Sequence, residues 1–404
     1  MRRAVCFCLC LALLSALSLA QDVQPTEAPS TSLVVWLPDR LTPLDSPALA
    51  RLREQTQAFT EASGMAVELR LKRVGDVGGI MATLRSASIA APAALPDLTL
   101  LRRQDLLSAE RDGLLQRLDG LLSAALIAEL GRPLALGQVN NVLYGLVYTL
   151  DIEHVAYRPQ PDVDASAWHF DAVLERGLPL AFSPAYANGL NDTFMAQYLA
   201  AGGSFNAEGS LVYDAEAAAR LLNFYAQARA REVVSSALLS LNNPADVLAL
   251  LQSGQVDQAI INSSAYLSLQ AQDRSLRPAP IPSVDGRLLG VLNGWSWTLL
   301  ASTPERQAAA MRYVVWLMDA ARLAEFSAAA AQIPSLPAAR QQDASLSRED
   351  AAFYQALLEA ASLPFSQADS GALTRAMHDA LISVIDGTRS ADEALRWLKE
   401  QVED

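Results

Sequence analysis

"NNVLYGLVYTLDIEHVAYR", residues 140–158, is the stretch on which the fold turns. It is rich in Val, Tyr, Leu and Ile and reads as consecutive strands with a turn near Tyr144 and Gly145. The chain before it keeps a different rhythm. "SLVVWLP" (32–38) is the apolar run of a buried strand. Ser46, Pro47 and Gly64 punctuate a helix as N-cap, first helical position and C-terminal stop. "AVELRLKRV" (66–74) alternates as a half-buried strand, and a helical stretch follows from about Asp76 to Ile89. "LPDLTLL" (95–101) is a further short strand, with "GLLQRLDGLL" (113–122) packing behind it. Strand, helix, strand, helix, strand is the pattern of an open, mostly parallel α/β sheet. A long β segment in the middle of such a chain fits a crossing from one lobe to a second.

Beyond the crossing the helices resume. One begins at Asp214 and buries Leu221, Leu222, Phe224 and Tyr225. Another is bracketed by Asn243, Pro244 and Gly254. "QVDQAIINSSAYLSL" (255–269) reads as a strand, a loop and a short helix. Asp285–Gly286 marks a tight turn before "VLNGWSWTLL" (291–300). In that strand a period of two puts Asn293, Trp295 and Trp297 on one face. The face is either core or an aromatic platform for a ligand.

The 404 residues are 51% hydrophobic and 19% charged, enough for a sizeable core and for more than one lobe. The net charge of −13, with no cluster of basic residues, argues against nucleic acid, because phosphate neutralisation needs a positive surface. Residues 1–20 carry Arg2 and Arg3, an apolar run, and Ser18 and Ala20 before a cut at Gln21. This is the pattern of a secretory signal peptide, with a retained anchor as the alternative. Residues 21–32, rich in Pro, Ser and Thr, read as a flexible linker. Cys6, Cys8 and Cys10 all fall in the leader, so the exported chain has no disulfide and no thiol chemistry.

Catalysis finds no support. His154, His169 and His378 are scattered, and no nucleophile elbow, zinc-binding helix motif, P-loop or dinucleotide fingerprint is present. No catalytic or metal-ligating residue is assigned, and no cofactor is implied. Gly202 and Gly203 follow an apolar helix and read as its C-cap. Aromatic and amide residues near strand ends are the better signal, because ligands of open α/β sheets bind at the carboxyl ends of strands. Trp36 stands where the first strand stops, Tyr186 and Asn188 lie in the loop "SPAYANGLND" (183–192), and Tyr266 follows "INSSA" (261–265). With Asn293, Trp295 and Trp297 they combine flat apolar faces with amides, which suits sugars. Arg102 and Arg103 also follow a strand end; they either face an anionic ligand or sit in a solvated loop.

In this order the segments resemble the extracellular solute-binding proteins of ABC importers, the family that includes maltose- and other sugar-binding proteins. The resemblance is carried by "LVVWLP" with "AVELRL", by "LPDLTLLRRQDLLSAERDGLLQRLD" (95–119), by 140–158, and by "FMAQYLAAGGSF" (194–205). "LLGVLNGWSWTLLASTPERQAAAMRYVVWLM" (288–318) and "GTRSADEALRWLKEQV" (387–402) complete it. It implies a two-lobed, periplasmic-binding-protein-like α/β fold with a ligand cleft between the lobes. Lobe one is then 33–148 with 292–345, and lobe two is 149–291 with 346–404. It also implies Tyr266, Asn293 and Trp295 as ligand contacts, with Trp36 and Tyr144 near the cleft. Trp295 is expected to face the cleft, and Trp297 to close it or enter the core. "GALTRAM" (371–377) lacks the aromatic that some sugar binders carry there, and Arg102 and Arg103 displace the usual acidic residue after the "PD" strand.

The expected protein is a monomeric, extracytoplasmic receptor that closes on a small solute, a sugar first of all, and delivers it to the permease subunits. A sensor or adhesion-type binder of the same fold, a binder of an anionic small molecule, and a secreted hydrolase are the alternatives.

Overall fold

A computed structural model of the protein describes residues 32–75, 78–161, 166–184, 190–206, 211–241, 243–363 and 371–403. Residues 1–31, which take in the expected leader and most of the expected linker, and residues Tyr186 and Asn188 lie outside the described residues. Nine strands form one sheet: β1 (Leu33–Pro38), β2 (Val67–Lys72), β3 (Leu98–Leu101), β4 (Gly145–Tyr157), β5 (Leu180–Ala181), β6 (Gln258–Asn262), β7 (Arg277–Ala279), β8 (Leu292–Leu299) and β9 (Ile333–Pro334). The order is β2-β1-β3-β8-β4-β6-β5, and β7 and β9 also pair with β4. β1, β2 and β3 are parallel, while β8 runs antiparallel to both β3 and β4.

The period of two decides the layers. Leu33, Val35 and Leu37 of β1 point to one face, where they meet Leu49, Leu52 and Phe59 of helix Pro47–Ser63 and Tyr313 of helix Pro304–Leu317. Phe59 and Tyr313 touch edge to face with centroids 5.1 Å apart. Trp36 points the other way, into a smaller core with Ile80, Leu84, Leu101 and Leu106. Farther along the chain, helices Ala215–Ala230, Gly371–Asp386 and Ala391–Glu403 pack on one another, and Phe170 stacks on Phe224 at 3.9 Å.

β4 joins the two halves. From Gly145 to Ile152 it pairs with β8, and from Glu153 to Tyr157 it pairs with β6. Two other stretches run beside it at the changeover. Leu292 donates its N–H to Ser362 and Ser362 donates to Gly290, at 2.8 and 2.9 Å, so 290–292 and 362 form a short bridge.

The structure revises the reading of 140–158 in one respect. The turn lies at Asn140 and Asn141, both with positive φ (50° and 62°), between the strand pairs Gln138–Val139 and Val142–Leu143. Asparagine tolerates that left-handed backbone, which tight hairpins need. Gly145 instead lies inside β4, where a Cβ would come 2.6 Å from Leu106 Cδ1 and 2.9 Å from Ser296 Cβ. Likewise 255–269 has no loop between strand and helix, because β6 passes directly into helix Ser263–Gln270.

Candidate functional site

Where β4 changes partner, its sequence departs from the apolar run. Asp151 and Glu153 fall on the same face, opposite Asn293 of β8 and Asn262 of β6. Asp151 is buried and accepts four hydrogen bonds. Ser263 Oγ (2.9 Å) and the Ser264 N–H (3.1 Å) reach one oxygen, and Ser264 Oγ (3.1 Å) and Asn262 Nδ2 (3.2 Å) reach the other. The N-cap of helix Ser263–Gln270, Asn262, makes no side-chain cap bond of its own. Asp151 takes that role from a neighbouring strand, placing a negative charge on the orphan N–H groups of the helix start.

A second helix, Asp192–Ala200, starts against the same strand. Asn191 caps it by accepting from the Phe194 N–H at 3.2 Å and donates to the Ser183 carbonyl at 2.8 Å. Thr193 Oγ1 then donates to Glu153 at 2.8 Å, and Asn293 Nδ2 donates to Asp192 at 2.9 Å. Burial, aided by the neighbouring charges of Asp192 and Asp151, pushes the Glu153 carboxyl up to about 8. Burial also raises Asp192, against the opposing pull of the Asn293 hydrogen bond and the Arg102 charge. Three acidic side chains therefore share this junction with a cation.

That cation comes from β3. The β3–β8 register sets Ser296 opposite Leu101, so the next pair outward is Trp295 and Arg102. The guanidinium carbon of Arg102 lies 4.8 Å from the centroid of the Trp295 ring, a cation–π contact, and the tryptophan is only 2% exposed. Gly294, before it, is needed for close pairing: a Cβ there would sit 2.3 Å from the Thr149 carbonyl oxygen. Arg103 points elsewhere, donating from Nη1 to the carbonyls of Ala135, Leu136 and Gln138 at 2.8–3.0 Å.

Of the residues singled out in the sequence, Arg102, Asn293 and Trp295 thus come together at the junction. Four others do not. Trp297 is core: it packs against Tyr148 at 5.5 Å and Tyr313 at 6.3 Å, beneath the helix that follows β8. Trp36 is sealed into the smaller core, with only Lys72 Nζ above its ring at 4.1 Å. Tyr266 is fully buried, its hydroxyl donating to Asp350 at 3.0 Å and its ring edge-on to His154 at 5.0 Å. A tyrosine whose hydroxyl and faces are all engaged offers nothing to a ligand. Tyr144 precedes β4 at the far end of the strand, seven residues before Asp151, or about 23 Å at 3.3 Å per residue. It packs beside the smaller core and is paired with Arg117.

Asp151, Glu153, Asp192, Thr193 and Ser264 were not legible as site residues. The available signal was "LDIEH", two acids two apart inside an otherwise apolar strand. Charges so placed are almost never buried without a purpose. Among the described residues no group of three His, Cys, Asp or Glu side chains is arranged to hold a metal ion, and no helix is long and apolar enough to cross a membrane.

Solved structures share this architecture. The cyclic alpha-maltosyl-1,6-maltose binding protein of Arthrobacter globiformis aligns over 92% of this chain and 97% of its own, with 15% identity and a TM-score of 0.72. The GacH receptor of Streptomyces glaucescens GLA.O, solved unliganded and with acarbose, aligns over 92% and 99%, with 15% identity and a TM-score of 0.70. The maltose-bound MalE3 of T. maritima aligns over 92% and 99%, with 16% identity and a TM-score of 0.68. At these identities the likeness establishes the fold, the one expected from the sequence. No curated protein sequence matches the chain. Residues 54–354 match the family model described as bacterial extracellular solute-binding protein, and the chain belongs to that family.

Proposed function

We propose that this solute-binding protein is the extracytoplasmic receptor of an ABC importer, that its cargo is a carbohydrate, and that the cargo sits at the β4 junction. In this reading lobe one is 33–148 with 292–345 and lobe two is 149–291 with 346–404, and residues 1–20 are the export signal. The observation that carries it is the company kept by Trp295. An indole face, a guanidinium donor on Arg102, and the acidic side chains of Asp192 and Glu153 converge from three strands and a helix. Sugar hydroxyls pair with carboxylates and guanidinium, and the C–H face of a sugar ring pairs with an aromatic face. The ligands named for the structural relatives, maltose, acarbose and a cyclic maltosyl-maltose, support the same class.

A small anion fits less well. The N-terminus of helix Ser263–Gln270 is already filled by Asp151, and Asp192 stands beside Arg102 as a further acid. Ligand held from both sides favours the closed arrangement, and the permease would recognise that arrangement. The receptor works as a monomer, without nucleic acid and without catalysis.

Thermal unfolding of the purified protein, refolded to strip bound cargo, tests this against neutral oligosaccharides and anionic metabolites. A ligand at a hundred times its Kd adds about 2.7 kcal/mol to stability and raises Tm. A rise with a neutral oligosaccharide that is lost in Asp192→Ala is the expected result. A rise with anions alone would replace the carbohydrate reading by an anion receptor centred on Arg102.

A further inference from the structure

We propose that Arg102 is a gate on the indole of Trp295, lying on the ring until a ligand bearing acceptors draws it off, and that it thereby decides which solutes the junction admits. The inference rests on the reading of the junction as the ligand site.

Three observations place Arg102 in that role. Its guanidinium carbon lies over the ring, 4.8 Å from the centroid of Trp295, whose other surroundings are the main core, and the tryptophan is 2% exposed. It is not pinned there: among the described residues the Arg102 side chain makes no hydrogen bond and no ion pair, and its Nε is buried without a partner. Arg103 next to it shows what a structural arginine looks like here, with one nitrogen serving three carbonyls. Finally, a second station is within reach. Asp192 feels the Arg102 charge across the junction but forms no ion pair with it, its hydrogen bond coming from Asn293.

A guanidinium held only by a cation–π contact moves when something better is offered. A ring that stacks on Trp295 takes the first station. Arg102 then turns toward Asp192, where its N–H groups meet the carboxylate and the acceptors on the edge of the ligand. A wholly apolar ligand has no acceptor to turn it. A cationic ligand, which the acids of the junction would otherwise attract, is repelled by a charge on either station. The gate therefore selects hydroxyl-rich rings and rejects amines.

Two measurements test this. Arg102→Ser is the main variant, because Arg102 is the N-cap of helix Arg103–Arg111 and makes no side-chain cap bond, whereas serine supplies one and helps the variant fold. The first measurement is acrylamide quenching of tryptophan emission and needs no ligand. R102S should be quenched at least twofold more than wild type, with red-shifted emission, and the increase should vanish when Trp295→Phe is added. Equal quenching in wild type and R102S overturns the gate. The second is the ratio of affinities for cellotriose and for its cationic counterpart, chitotriose in the fully deacetylated form. R102S should shift that ratio at least tenfold toward the amine, and an unchanged ratio overturns the selection. If neither sugar binds wild type, the carbohydrate reading fails while the quenching result still decides for or against the gate.

Discussion

Asn293 and Asp192 meet at 2.9 Å from opposite sides of the junction, the amide on the strand that pairs with the first half of β4 and the carboxylate at the start of a helix packed against its second half. A hydrogen bond to a buried charge is among the stronger ones, and here it ties β8 to the start of helix Asp192–Ala200.

Asn293→Ala should cost about 2 kcal/mol in urea unfolding. The loss should be larger at pH 7 than at pH 5. Without the amide the Asp192 carboxyl, already raised by burial, rises further, and a raised acid stabilises the folded chain less as pH increases. A loss that does not change with pH would mean that Asp192 is solvated and that the bond is incidental.

Glu153→Gln isolates the neighbouring acid. Its folded-state value of about 8 exceeds the ordinary 4.5, so between those values the folded chain holds a proton that the unfolded chain releases. Stability from this group is present below pH 4.5 and is lost as pH rises toward 8. Glutamine keeps the Thr193 hydrogen bond without the charge. The variant should therefore gain on wild type as pH rises, on the order of 4 kcal/mol by pH 8. Unfolding midpoints that stay parallel from pH 5 to 8 would refute it.

His154 works in the opposite direction. Burial lowers it from 6.5 to about 4, so the unfolded chain takes up a proton that the folded chain refuses. Stability from this group is complete above pH 6.5 and is lost as pH falls toward 4, by about 3 kcal/mol in all. His154 Nδ1 lies 2.9 Å from the Val155 carbonyl and Nε2 lies 3.0 Å from the Tyr354 hydroxyl, so the proton sits on Nδ1 and Nε2 accepts. Nitrogen-15 NMR of the imidazole should show this single neutral tautomer down to pH 5; an imidazolium signal at pH 6 would contradict it.

The two tryptophans of β8 should separate by experiment. Trp297→Ala removes a ring enclosed by Tyr148 and Tyr313 and should cost about 3–5 kcal/mol while leaving affinity intact in whatever protein still folds. Trp295→Phe keeps most of the packing and should weaken carbohydrate binding instead. Equal effects of both on affinity would return Trp297 to the site.

Some of this was readable in the chain and some was not. The caps at Ser46 and Asn243, the buried run of β1 and the alternation in β2 follow from local chemistry, and the structure bears them out. Pattern alone could not separate Trp295 from Trp297, because both share one face of one strand; what differs is the company each keeps, Arg102 over Trp295 and Tyr148 and Tyr313 against Trp297. Tyr266 looked like a ligand contact because it follows a strand end, yet the helix it belongs to turns its ring inward, onto His154 and Asp350.

The sequence by itself determined the α/β rhythm, the crossing strand and the family likeness, because strand alternation, helix caps and turn residues act over a few neighbouring positions. Only the tertiary structure decided the site. Asp151, Glu153, Asp192, Asn293, Arg102 and Trp295 come from four separate segments and owe their shared chemistry to one event, the passage of β4 from β8 to β6. Burial and mutual charge shift those carboxyls, and neither is a property of any residue until the segments are packed together.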